Sequence, residues 1–128
     1  MERELNTFAT RYALLLEDHE GMYAVIYRAE MLDVFYCILD AWRQGRKEWG
    51  NEPFLIKRIW SGVNPTAYAE ARTISYGGRQ VSILVDRHAG MIKVLAREGK
   101  TTAMGDDEEM AIAAAMEKVD VREWLEAD

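Results

Sequence analysis

Polar residues recur at helical intervals through an otherwise apolar stretch from Met22 to Gln44. Glu30, Asp33, Cys37, Asp40 and Gln44 fall on one stripe, and most of the remaining circumference is aromatic or aliphatic. Spacings of three, four and seven predict a helix, and one so apolar must be covered from several directions. Met22 to Tyr27 is also rich in aromatic and β-branched residues, the composition of a strand. The stripe carries the helical reading from Arg28 onward and leaves Met22–Tyr27 open between helix and strand. Ahead of it, Leu5, Phe8, Tyr12, Leu15 and Leu16 share one face of an amphipathic helix from Glu2 to Asp18. The short break at His19-Glu20-Gly21 makes the two an antiparallel helical hairpin.

Gly45 reads as the C-cap of the central helix, with Arg43, Arg46 and Lys47 opposing the negative end of its dipole. Asn51-Glu52-Pro53 reads as a new helix start, which makes Phe54 to Trp60 a short helix with Lys57 and Arg58 on its wet side. Asn64-Pro65 marks a turn. Paired glycines at 77 and 78 join Arg72–Tyr76 to Arg79–Asp86 as a hairpin, because both can take the positive φ of a type I′ turn. That turn sets Ile74 opposite Val81 and Tyr76 opposite Arg79. A second turn, Arg87 to Gly90, leads into a third strand, Met91–Arg97, with Asp86 opposite Met91, Val85 opposite Ile92 and Ile83 opposite Val94. In this register the apolar faces of all three strands agree. Glu98 to Gly105 reads as a polar loop. Asp106 with Glu109 resembles a capping box before an alanine-rich helix, and Asp120 with Glu123 repeats the pattern before a last short helix with Trp124 and Leu125. The predicted fold is α+β in a single domain over residues 1–128: an N-terminal helical hairpin packed on a three-stranded antiparallel β-meander, with a C-terminal helix.

Composition narrows the class. Nearly half of the 128 residues are apolar, enough to bury a core without staples, and a single cysteine excludes an internal disulfide framework. The start Met1-Glu2-Arg3-Glu4 lacks a secretion signal, and no apolar run reaches the roughly 20 residues that span a bilayer. A cytoplasmic protein with no membrane partner is the expectation. The net charge of −6 is segregated: −5 over residues 1–42, +6 over 43–100 and −7 over 101–128. Acidic ends either lie against the basic middle or leave two faces of opposite sign.

Candidate chemistry is sparse. Asp86, Arg87 and His88 sit together at a strand end, where a carboxylate beside an imidazole could orient a general base, but adjacent strand residues point to opposite sides, no nucleophile is near, and hairpin-turn polarity is the better account. Glu30, Asp33 and Asp40 lack the Glu-x-x-His partners of a metal-bearing bundle, and Gly77-Gly78 joins two strands instead of cradling phosphate. No catalytic, metal or cofactor set is assigned. Arg43, Arg46, Lys47, Lys57 and Arg58, interleaved with tryptophans, give nucleic-acid binding as a lesser alternative. The carboxylates Asp106, Asp107, Glu108, Glu109, Glu117 and Glu123 suit a partner protein with a basic surface, joined by an apolar patch of Leu84 and Leu95 on the reverse face of the meander. Exposed sheet edges raise the further expectation of a homodimer. The functional expectation is therefore a non-enzymatic interaction module, an acidic inhibitor or adaptor of the phage or mobile-element type. Its alternative is a small-ligand protein with an aromatic pocket drawn from Tyr36, Trp60, Tyr68 or Tyr76.

Overall fold

The turn that divides the first half of the chain falls at Arg28-Ala29 and contains no glycine, proline or asparagine. Arg28 takes a φ of +55° there, and the apolar stretch on either side folds as two strands, β1 (Tyr23–Tyr27) and β2 (Glu30–Phe35). The computed structural model describes residues 1–62, 67–88 and 90–126, with side chains through Val119. The central helix predicted from Met22 to Gln44 is thereby replaced by a hairpin followed by a helix, α2 (Ile38–Trp49). The strand alternative at Met22–Tyr27 is the one the chain adopts.

A β-bulge explains the misleading stripe. Val25 pairs with Asp33 and Ile26 with Met31, so Leu32 is an extra residue in β2. The insertion moves the exposed positions of β2 to Glu30 and Asp33, three apart instead of two. An interrupted period of two thus mimics a helical one.

The sheet has seven strands in the order β2-β1-β3-β4-β5-β6-β7, all neighbours antiparallel. β3 is Phe54–Arg58, β4 Tyr68–Tyr76, β5 Arg79–His88, β6 Met91–Ala96 and β7 Thr101–Gly105, with a single 3-10 turn at Arg97–Gly99. The predicted three-stranded meander is its β4–β6 portion. Residues 54–58 form a strand where a short helix was predicted, because Pro53 leads into four consecutive buried side chains that need cover on both faces. The polar loop predicted at Glu98–Gly105 contains β7.

The glycine-pair hairpin forms as predicted, with Gly77 and Gly78 both at positive φ and Ile74 opposite Val81. Its neighbour differs. His88 pairs with Met91, Val85 with Val94 and Ile83 with Ala96, two residues from the predicted register. A shift of two leaves every side chain on its predicted face.

Among the described residues three helices cover the sheet. On one face α2 buries Val25, Phe54, Ile56, Ala71, Leu84 and Leu95. On the other, α1 (Glu2–His19) covers Ala24, Ile26 and Leu55 with Phe8 and Leu15, as its amphipathic pattern predicts. Beside it α3 (Glu108–Glu126) covers Ile83, Val85, Val94 and Ala103 with Ala111, Ala115 and Met116. α1 packs on the sheet instead of pairing with a second helix. It is held by Glu4, which accepts the Arg28 N–H at 2.8 Å, and by Tyr12, whose hydroxyl donates to the Trp60 carbonyl at 2.6 Å. The C-cap of α2 is Gly50, and Gly45 lies inside the helix against Phe54. α3 is capped one residue later than predicted, with Asp107 Oδ1 accepting the Met110 N–H at 2.8 Å. It runs on past Asp120 as one helix instead of two. The Asn64-Pro65 turn and the side chains of Asp120, Glu123, Trp124 and Leu125 lie outside the described residues.

Candidate functional site

β4 carries alanines where it faces the α2 side of the sheet. Ala69 and Ala71 are buried there, with Ala67 preceding them. Pairing builds two rows of longer side chains around these small ones. Val25 pairs with Ile56, Ile56 with Ala69, Ala69 with Asp86 and Asp86 with Lys93. In the next row out, Tyr23 pairs with Arg58 on one side and His88 with Met91 on the other. Small residues in the middle of the sheet leave a hollow, and a cavity of about 410 Å³ occupies it. Ile38 at the start of α2, Trp60 and Gly62 also line it. The volume lies within the range of about 300–1,000 Å³ typical of small-molecule sites.

Asp86 and His88 alternate with Arg87, so they point to one side and both line this cavity. Burial pushes the Asp86 carboxyl above its ordinary value, partly offset by the positive charges of Lys93 and His88. Its ionisation therefore opposes folding, which is common among groups retained for a site. Arg58 lies over the Trp60 ring at 4.1 Å and within 5.9 Å of the Tyr23 centroid. Such stacking orients a guanidinium while leaving its N–H edge open, and among the described residues no carboxylate forms an ion pair with it.

The opposite face carries its own polar group in the seam between α1 and α3. Arg72 and Arg87 each donate to one oxygen of Glu108, the first residue of α3. Glu70 sits beside both, 3.9 Å from Arg72 Nε and 3.7 Å from Arg87 Nη1. Arg87 also lies 4.9 Å over Tyr68. Desolvation pushes the Glu108 carboxyl up, but the hydrogen bonds and charges of Arg72 and Arg87 prevail and hold it below its ordinary value. Lys57 points to this face too, only 4 % exposed, with Nζ donating to the Ala67 carbonyl at 2.6 Å. Burial lowers its pKa.

The residues expected to bind a partner are thus dispersed. Leu84 and Leu95 form no outer patch, because α2 buries them. Glu108 is engaged with two arginines, Asp107 caps α3, and Asp106, Glu109 and Glu117 are exposed. The Glu123 side chain lies outside the described residues. Of the five cations proposed for nucleic acid, Arg43, Arg46 and Lys47 are exposed on α2 while Lys57 and Arg58 point to opposite faces of β3. Of the four aromatics suggested for a pocket, Trp60 and Tyr68 line the cavity, Tyr36 is 88 % exposed, and Tyr76 packs in the α3 cluster.

Sequence reasoning placed Asp86 and His88 near each other but missed Arg58 as their counterpart, because it put Arg58 on a helix. The signal available was Ala-x-Ala-x-Ala at 67–71, small residues at strand spacing where a central strand ordinarily carries large ones. Among the described residues no three of His, Cys, Asp or Glu converge as metal ligands, and no helix is long and apolar enough to cross a membrane. Compared with protein-family models, curated proteins and solved structures, the chain matches none of them.

Proposed function

We propose that this chain binds a small molecule in the cleft over the β4 alanines. The supporting observation is the combination in one hollow of a flat alkyl floor, an aromatic wall and ionisable groups whose charges are incompletely neutralised. A hydrophobic core ordinarily closes such a space, and a half-buried carboxylate is ordinarily paired. A screen of aromatic metabolites by thermal shift tests the proposal. A ligand present at about 100 times its Kd adds about 2.7 kcal/mol to stability, so a rise of several degrees in Tm is expected. Perturbed backbone amides should include those of Arg58, Ala69 and Asp86. Perturbation confined to other surfaces, or no shift with any compound, would sink the idea.

A second reading keeps the acidic partner surface, in reduced form. Asp106, Glu109 and the exposed side chains of Met104 and Met110 lie on or beside the start of α3, with Glu117 exposed about two turns further along it, and a mixture of carboxylates and flexible apolar groups suits a basic protein partner. Charges at this surface are screened over about 8 Å at physiological ionic strength. Binding of a basic partner should therefore weaken steeply between 50 mM and 500 mM salt in a fluorescence titration, and salt-independent affinity would count against it.

A further inference from the structure

Three basic residues border the cleft, and the faces to which their side chains turn separate them. The Arg87 guanidinium is committed to Glu108 and lies beside Glu70. Lys57 is buried beneath α1, bonded to the Ala67 carbonyl and 5.5 Å from the Phe8 ring centroid. Arg58 alone of the three is exposed, and its guanidinium lies over the faces of Tyr23 and Trp60. A stacked guanidinium of this kind matches the planar fork of a carboxylate or phosphate. Across the alanines, Asp86 is half-buried, with Lys93 and His88 as its charged neighbours and no side-chain hydrogen bond to a described residue. An acceptor in that position gains most from a ligand that brings a donor to it.

The two groups lie on strands either side of β4. Adjacent strands are about 4.8 Å apart, and Arg58 lies two residues along β3 from Ile56, which shares the row of Ala69 and Asp86, so the two backbone positions are roughly 12 Å apart, less what the two side chains reach. One aromatic ring with a substituent at each end spans that distance. The alkyl floor and the Trp60 wall accept its faces.

Building on the cleft reading above, we propose that the ligand is a small planar molecule, anionic at one end and carrying a hydrogen-bond donor at the other. The anion lies on Arg58 and the donor on Asp86. This geometry favours amino-substituted aromatic acids over simple acids, simple amines or neutral rings.

The test uses the full chain and three probes: 4-(aminomethyl)benzoate, benzoate and benzylamine. Affinities come from amide chemical-shift titrations, which also locate each probe. The two-ended probe is expected to bind at least tenfold more tightly than either single-ended one, with shifts at Arg58, Ala69 and Asp86. Arg58→Gln should erase its advantage over benzylamine, and Asp86→Asn its advantage over benzoate. The amide spectrum of each variant reports that it is folded. If single-ended probes occupy the cleft as tightly as the two-ended one, or if both variants leave its affinity unchanged, the dipolar assignment falls while the cleft reading stands. If no probe perturbs a cleft amide, both fall.

Discussion

Substituting Gly45 by alanine is expected to destabilise the protein, against the sign that helix propensity alone predicts. Within α2 the change would gain about 1 kcal/mol by propensity. An alanine Cβ at that position, however, would lie well inside van der Waals contact of Cε2 and Cζ of Phe54, and 2.9 Å from its Cδ2. Phe54 has no room to withdraw. Its side chain is fully buried on β3, and the Trp49 ring packs against it at 5.4 Å between centroids. Overpacking of this kind costs typically about 1–3 kcal/mol, and a clash with a fully buried ring belongs in the upper part of that range. A net loss of about 1–2 kcal/mol follows. Chemical denaturation of Gly45→Ala, Phe54→Leu and the double variant separates the two effects. In the Phe54→Leu background the ring is gone, so the same glycine substitution should become neutral or stabilising. A Gly45→Ala variant more stable than the parent would show that α2 does not approach β3 so closely.

The second large effect concerns Glu108, which ties the start of α3 to the sheet. Removing its charge with Glu108→Gln leaves Arg72 and Arg87 with Glu70 as their remaining carboxylate neighbour. Buried Arg72 Nε and Arg87 Nη1 already lack a hydrogen-bond partner among the described residues. A hydrogen bond to a charged group contributes about 1.5–3 kcal/mol when buried. With the Glu108 side chain one-third exposed, about 1–2 kcal/mol for the pair of contacts is the reasonable expectation after allowing for solvent screening. The exposed neighbour Glu109, changed to Gln, should behave as the parent protein.

Acidity gives this prediction its sign. The folded-state pKa of Glu108 is depressed, so its contribution is fully present above the ordinary value near 4.5 and is lost as pH falls through the lower folded value. The difference in Tm between parent and Glu108→Gln should be largest near neutral pH and shrink below about pH 4.5. A difference that persists unchanged to pH 2 would mean that the side chain acts by packing and not by charge.

How far the chain reveals itself without coordinates varies by segment, for identifiable reasons. α1 was legible because Leu5, Phe8, Tyr12, Leu15 and Leu16 keep a single unbroken period. The β4–β5 hairpin was legible because Gly77-Gly78 specifies a turn within two residues. Between Met22 and Gln44, the Arg28-Ala29 turn has no residue that announces it, and the Leu32 bulge shifts the exposed positions into a helical interval. The β5–β6 register slipped by two because alternation distinguishes faces, not pairs of registers that share them. At the cleft, His88 and Asp86 were visible as neighbours. Arg58, Tyr23 and Ile38 come from β3, β1 and α2, and nothing local joins them.

Sequence alone determined the class, α+β, along with the amphipathic α1 and the glycine-centred hairpin. It also determined which residues of β5 and β6 share a face. These properties depend on interactions between residues near in the chain, or on a period that survives a change of partner. The tertiary structure decided that seven strands join in one sheet, that α2 covers Leu84 and Leu95, and that Arg58 and Asp86 border one cavity on either side of the β4 alanines. Those outcomes depend on which strand lies beside which, and that is set by the burial of two sheet faces at once.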